Sequence, residues 1–168
     1  MKRQTLALAT ALGLLGAPDT SAQTLADMAG SWRGTGWARE TPQGPQEPIR
    51  CRMTNTYSEP DRSLRVQGRC AVPGRQLQMQ GVLTAQRGSE KITGTWSNPD
   101  GPGTVPVSGV QRGGAAAFAL RAKDPATGRE IAQSVEWRLE GARLRVRATD
   151  ISAAGGGGAQ MSDISFSQ

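Results

Sequence analysis

From residue 30 onward the chain never settles into a helical rhythm. Glycine and proline interrupt it every several residues, and between them apolar residues tend to alternate with polar ones. A helix repeats its apolar face every three or four residues, whereas a half-buried strand alternates strictly, so this pattern restricts the fold to short strands joined by turns. With 22 Gly and 10 Pro in 168 residues, the interruptions leave little room for helices of ordinary length.

The strand reading can be checked within the sequence, because a hairpin placed on a turn should set apolar against apolar. Gly88-Ser89 suits a type II′ turn, with glycine first. Pairing outward sets Arg87 against Glu90, Ala85 against Ile92, Leu83 against Gly94 and Gly81 against Trp96. One face then carries Leu77, Met79, Leu83, Ala85, Ile92 and Trp96, and the Trp96 ring covers the bare backbone of Gly81. A turn at Gly141-Ala142 sets Leu139 against Leu144, Trp137 against Val146 and Val135 against Ala148. The opposite face pairs Glu140 with Arg143 and Glu136 with Arg147, and sets Arg138 against Arg145.

A third hairpin turns at Glu59-Pro60-Asp61. If Cys51 faces Cys70, Met53 meets Gly68, Asn55 meets Val66 and Tyr57 meets Leu64, all on one face. Thr104–Gln111 and Ala115–Lys123 pair across Gly113-Gly114, placing Val107 with Leu120 and Gly109 with Phe118; Pro106 marks an edge or an irregularity. Gly30–Ala38, with Trp32 and Trp37 on opposite faces, and Ser162–Ser167 supply the first and last strands. Leu25–Ala29 forms a helical turn ahead of them. Hairpins in series within one domain predict an all-β fold: a single antiparallel up-and-down barrel of about 8–10 strands, which removes exposed edges by closing.

The N-terminus has the three parts of a secretory signal peptide: Lys2-Arg3, an apolar run from Leu6 to Ala17, and Thr20-Ser21-Ala22 before a cleavage point after Ala22. The apolar run is too short to span a bilayer, and no later segment is long and apolar enough to do so as a helix. No cysteine follows the run and Lys2-Arg3 is not a twin-arginine pair, so the route expected is the general secretory one, with no lipid anchor. Residues 1–22 are read as the signal peptide and 23–168 as a single barrel domain, periplasmic or secreted. In that compartment the two cysteines, Cys51 and Cys70, are expected to form one structural disulfide.

Function is constrained mostly by what is missing. The chain contains no histidine, which removes Ser-His-Asp and Cys-His nucleophile arrangements and the common zinc sites. The acids Glu59, Glu90, Glu130 and Glu140 fall in turns or at strand ends, and Gly155–Gly158 lacks the Lys-Ser/Thr of a phosphate loop. Haem or iron would have to use Met53, Met79, Met161 or Tyr57, and methionines that alternate along strands are in the first instance core filler. No catalytic residue, metal site or cofactor is assigned.

Two polar and aromatic groups remain. Trp32, Met53, Asn55, Tyr57, Trp96 and Trp137 fall on the inner face, as residues that close the barrel or line a ligand space. Inward Gly68, Gly81, Gly94 and Gly109 leave room that the tryptophans could equally fill. Arg50, Arg52, Arg65 and Arg69 share the outer face of the cysteine hairpin, and Arg143, Arg145 and Arg147 line another strand; both rows are candidate anion sites in a chain of formal net charge +6. No aromatic residues interleave with them, which argues against nucleic acid.

Gly30-Ser31-Trp32 after a helical turn resembles the G-x-W opening of lipocalins and other calycins, in which the Trp closes one barrel end, a role the resemblance gives to Trp32. The run Gly30-Ser31-Trp32-Arg33-Gly34-Thr35-Gly36, then Cys51, Tyr57 and Cys70, then Gly94-Thr95-Trp96 and Val107-Ser108-Gly109, resembles an uncharacterised family of small exported bacterial calycin-like barrels. The cysteine hairpin also resembles small periplasmic inhibitors of secreted metalloproteases, which would make Gln23–Asp27 an inhibitory arm. The resemblance to the exported family implies a fold and a compartment but no activity, and the missing nucleophile and base chemistry makes binding, not catalysis, the expectation. The ligand expected is a small apolar or amphipathic molecule in the barrel; the alternative is an envelope protein or protease engaged through loops or the N-terminal arm.

Overall fold

Every predicted hairpin forms, and the hairpins join into one closed sheet. The computed structural model describes residues 20–98, 103–124, 127–152 and 158–168. Residues 1–19, most of the segment read as a signal peptide, and Gly155, Gly156 and Gly157 of the glycine run lie outside them. The elements are α1 (Thr20–Asp27), β1 (Gly30–Ala38), β2 (Glu47–Ser58), β3 (Ser63–Val72), β4 (Arg75–Ala85), β5 (Lys91–Asn98), β6 (Gly103–Arg112), β7 (Ala115–Lys123), β8 (Glu130–Glu140), β9 (Arg143–Asp150) and β10 (Gln160–Ser167). Each strand pairs antiparallel with its neighbour in sequence, and β1 closes the barrel on β10 through pairs such as Gly34–Phe166 and Gly36–Ile164.

The registers are those that apolar matching predicts. Cys51 faces Cys70 and Tyr57 faces Leu64; Gly81 faces Trp96; Gly109 faces Phe118; Trp137 faces Val146. The sulfur atoms of Cys51 and Cys70 are bonded. Pro106 is the irregularity: β6 pairs with β7 only from Val107 onward, beyond the residue that has no N–H to give.

Three local expectations change. Ser89 N–H donates to the Gln86 carbonyl at 3.3 Å, so the turn is centred on Arg87-Gly88, with Gly88 second and at φ 64°. Glu90 pairs with Arg112 on β6, at 2.8 Å from Nε, and not with Arg87, because the longer loop carries its carboxylate across to the next strand. The helix begins earlier than Leu25, at Thr20, and ends at Asp27.

That helix shuts one end of the barrel. Leu25 and Met28 are fully buried, and the Met28 carbonyl accepts hydrogen bonds from Trp32 Nε1 at 3.1 Å and Asn55 Nδ2 at 2.8 Å. Behind the plug the inner face is packed with Leu64, Val66, Leu83, Ile92, Phe118, Trp137, Leu144 and Phe166. Gln111 is buried there too, and neither end of its amide has a partner among the described residues. Leaving such groups unsatisfied costs on the order of 1–3 kcal/mol each.

Candidate functional site

The two halves of the barrel interior differ. Inner positions near α1 are sealed apart from Tyr57 and Leu139, whereas on the β4–β9 side, toward the opposite end, Leu77, Met79, Trp96, Val105, Val135 and Val146 are only partly buried. Their floor is aromatic: Trp96 lies 5.8 Å from Phe118 and 6.1 Å, edge-on, from Trp137, with Phe118 and Trp137 6.4 Å apart. Trp96 holds its place because Gly81 opposite has no side chain; a Cβ there would meet ring atom Cζ3 at 2.7 Å. Half-exposed Gln133 and Asp150, a cross-strand pair on the same inner register, are the polar groups farther along this wall. An apolar wall with a few polar groups is the usual composition of a small-molecule site.

The predicted lining residues therefore separate. Trp96 belongs to the partly exposed half. Trp32, Met53, Asn55 and Trp137 are buried, at 3%, 3%, 3% and 1% exposure, and Trp32 and Asn55 hold the α1 plug. These four are part of the packed core, and Trp32 stands at the end that α1 closes. Tyr57 is half-buried at the shut end, facing Leu64. Inward Gly68, Gly81, Gly94 and Gly109 do not leave the room expected of them. The Met79 side chain, the Trp96 ring and the backbones of Val82 and Ala117 already stand where their Cβ atoms would go. The segment proposed as an inhibitory arm is packed down as a plug: Thr24 and Leu25 are buried and α1 packs against β3, β4, β6 and β7.

On the outside, the faces of β1–β4 form a hollow of about 980 Å³. Register lines up Arg33, Arg52, Arg69 and Gln78 across four strands. The rows on either side are Thr35, Arg50, Ala71, Gln76 and Ser31, Thr54, Gln67, Gln80. Four arginines and no acid line the hollow. Gly34 and Gly68 border it, their inward space filled by the Phe166 ring, whose Cδ1 lies 2.5 Å from where a Cβ would be, and by the Met79 side chain. A smaller hollow of about 190 Å³, lined by Arg65, continues from it and shares Gln67 and Gln80. Arg33 was missed in the sequence because it sits on the first strand, outside the cysteine hairpin.

The second arginine row is not available in the same way. Asp163, facing Arg147 across the β9–β10 pair, accepts from Arg145 Nε at 2.9 Å and Nη2 at 2.7 Å, with Arg147 Nε 3.7 Å away. Arg145 is thus paired with Asp163 and Arg147 stands beside it, because β10 supplies a carboxylate that the hairpin alone does not reveal; Arg143 remains exposed. The bidentate hydrogen bonds from Arg145 hold the Asp163 carboxyl below the ordinary carboxylate range. The folded pKa being the lower one, this contribution to stability is complete above the unfolded-state pKa and is lost as pH falls through the carboxylate range. Asp163→Asn should therefore flatten the acid limb of the urea midpoint measured between about pH 6 and pH 3.

No protein-family model matches the chain, and no curated protein matches it. Among solved structures it is similar to the crystal structure of Rv2717c from M. tuberculosis, with a TM-score of 0.68 at 17% identity over 90% of this chain and 98% of that one. At that identity the likeness concerns the fold. Among the described residues no helix is long and apolar enough to cross a membrane.

Proposed function

We propose that the chain is an exported, non-enzymatic barrel of calycin type that takes a small apolar or amphipathic ligand through the end opposite α1. The observation that carries this reading is the asymmetry of the interior. One end is shut by fully buried Leu25 and Met28, while Leu77, Met79, Val105 and Val146 stay partly exposed beside Trp96. Leaving large apolar side chains half-covered forgoes part of the roughly 1.5–3 kcal/mol that each would contribute if fully buried. A ligand that completes their burial recovers it. Gln133 and Asp150 would meet the polar end of an amphipathic molecule. The non-catalytic reading rests on the absence of histidine and on two thiols tied to each other. Export rests on the N-terminal pattern and fits that disulfide.

Native mass spectrometry of the protein recovered from its own host tests these points together. The expected result is a chain cleaved after Ala22, carrying one disulfide and an extra mass that leaves on denaturation. Re-adding the released molecule should shift tryptophan emission, and Trp96→Phe should remove most of that shift, since Trp32 and Trp137 are sealed in the core and Trp37 lies on the opposite face of β1 beside Arg39. A clean apo mass together with no emission response to the host's extracted lipids and small apolar metabolites would remove the ligand reading.

A further inference from the structure

We infer that the outer hollow of β1–β4 is a binding site for an anionic polysaccharide, a glycan bearing sulfate, phosphate or carboxylate groups along its length. It is distinct from the barrel interior and does not depend on the ligand proposed there.

The argument begins with a cost. Like charges directly opposite one another across a sheet are destabilising, yet Arg33, Arg52 and Arg69 stand side by side on three successive strands. All three are exposed, as are Arg50 and Arg65. Among the described residues no carboxylate pairs with any of the five. Several other arginines are matched to acids: Arg112 to Glu90, Arg121 to Glu130, Arg138 to Glu136, Arg145 to Asp163 and, at the start of β4, Arg75 to Glu40 and Glu47. Among the described residues, Arg33, Arg50, Arg52, Arg65 and Arg69 form a concentrated, uncompensated field around the hollow.

The shape and the remaining chemistry select the ligand. The large hollow and its smaller continuation make one track that runs past Arg50, the central arginine row, Gln67 and Gln80, and then Arg65. A track suits a chain better than a single small ion. Between the guanidinium groups lie Ser31, Thr35, Thr54, Gln67, Gln76, Gln78 and Gln80, side chains whose hydroxyls and amides both donate and accept. That mixture matches sugar hydroxyls set between anionic groups, with arginine able to bind sulfate, phosphate or carboxylate in bidentate fashion. Single-stranded nucleic acid would call for aromatic platforms on which bases stack. The only aromatic residue bordering the track is Trp32, which is 3% exposed and points inward. A membrane surface is a poor fit to a concave groove with no exposed apolar rim.

The test uses the disulfide-bonded chain from Gln23 on a heparin column, with neutral dextran as control. Wild type is expected to bind heparin at low salt and elute with a salt gradient. The triple variant Arg33→Gln, Arg52→Gln, Arg69→Gln should lose at least about tenfold in affinity, and the slope of log K against log salt should fall by about 2–3. A triple of equal charge change on exposed arginines elsewhere, Arg87→Gln, Arg129→Gln, Arg143→Gln, should keep both. The groove triple should unfold at the same temperature as wild type or higher, because it removes repulsion. Equal losses in the two triples would overturn the site by assigning binding to net charge. Failure of wild type to bind heparin would overturn it outright. Tighter groove-dependent binding to single-stranded DNA, or to vesicles containing anionic lipid, than to heparin at the same salt would overturn the choice of glycan.

Discussion

Gly94→Ala is expected to destabilise the barrel by at least about 3 kcal/mol, the upper end of what overpacking costs, and to collapse the yield of folded protein. Gly94 sits on β5 between Leu83 of β4 and Val107 of β6. An added Cβ would fall well inside contact with the Val82 carbonyl oxygen and close to the Leu83 Cα. Side-chain ends can swing away from an intruding methyl group, but a carbonyl held in a sheet ladder cannot move without breaking its own pairing. Gly109 against Ala117 and Gly36 against Asp163 repeat the arrangement. At all three a neighbouring strand's backbone stands inside the space of a Cβ, as at the glycine bends that let a sheet close into a barrel. None of the three is at positive φ, so the constraint there is space. Gly74, in the β3–β4 turn, is the contrast: nothing lies within 4 Å of its Cβ position, and its φ of 78° makes alanine cost only about 1 kcal/mol. Urea midpoints of the two variants separate the mechanisms. A Gly94→Ala protein as stable as Gly74→Ala would mean that β4 and β5 yield more easily than a paired ladder should.

Those glycines also mark how far the sequence could be read. Strand positions and the registers of four hairpins were legible because their turns had signatures and each register matched apolar residues on one face. Leu83 opposite Gly94 and Trp137 opposite Val146 needed only counting outward from a glycine. What an inward glycine does was not legible. Gly81 accommodates a ring and Gly94 a backbone, and neither leaves a cavity, a distinction that depends on distances between strands. The charge pattern was half legible. Counting by twos placed Arg50, Arg52 and Arg69 outside, but Arg33 joins them only through the β1–β2 pairing. Asp163 cancels Arg145 and Arg147 only because closure brings β10 beside β9. Contacts local to a hairpin can be inferred from its turn, whereas those that depend on pairing beyond it need the closed sheet. The plug belongs to the second kind, since nothing around Leu25 indicates that it will be capped beneath Asn55, a residue on β2.

Replacing both cysteines, Cys51→Ala with Cys70→Ala, should cost roughly 3 kcal/mol on the chain-entropy account of a loop this size, with the two residues 19 positions apart. Reducing the wild type should cost about the same, and the pairing of β2 with β3 should survive, because Met53–Gly68, Asn55–Val66 and Tyr57–Leu64 specify the register without it. The bond's position suggests a more particular role. Cys51 lies between Arg50 and Arg52 on β2, and Cys70 directly follows Arg69 on β3, so the covalent tie joins the two strands on which Arg52 and Arg69 oppose each other. A repulsive row of this kind weakens the ladder that carries it by about 0.2–1 kcal/mol per pair, and the disulfide holds the ladder shut beneath the groove. Two outcomes follow in the cysteine-free protein. Its urea midpoint should rise with added salt more steeply than that of the wild type, as ions screen the exposed charges, and Arg52→Gln should restore part of the lost stability. If neither salt nor Arg52→Gln moves the cysteine-free midpoint, the bond is a general staple, and its placement under the arginines has no energetic connection with them.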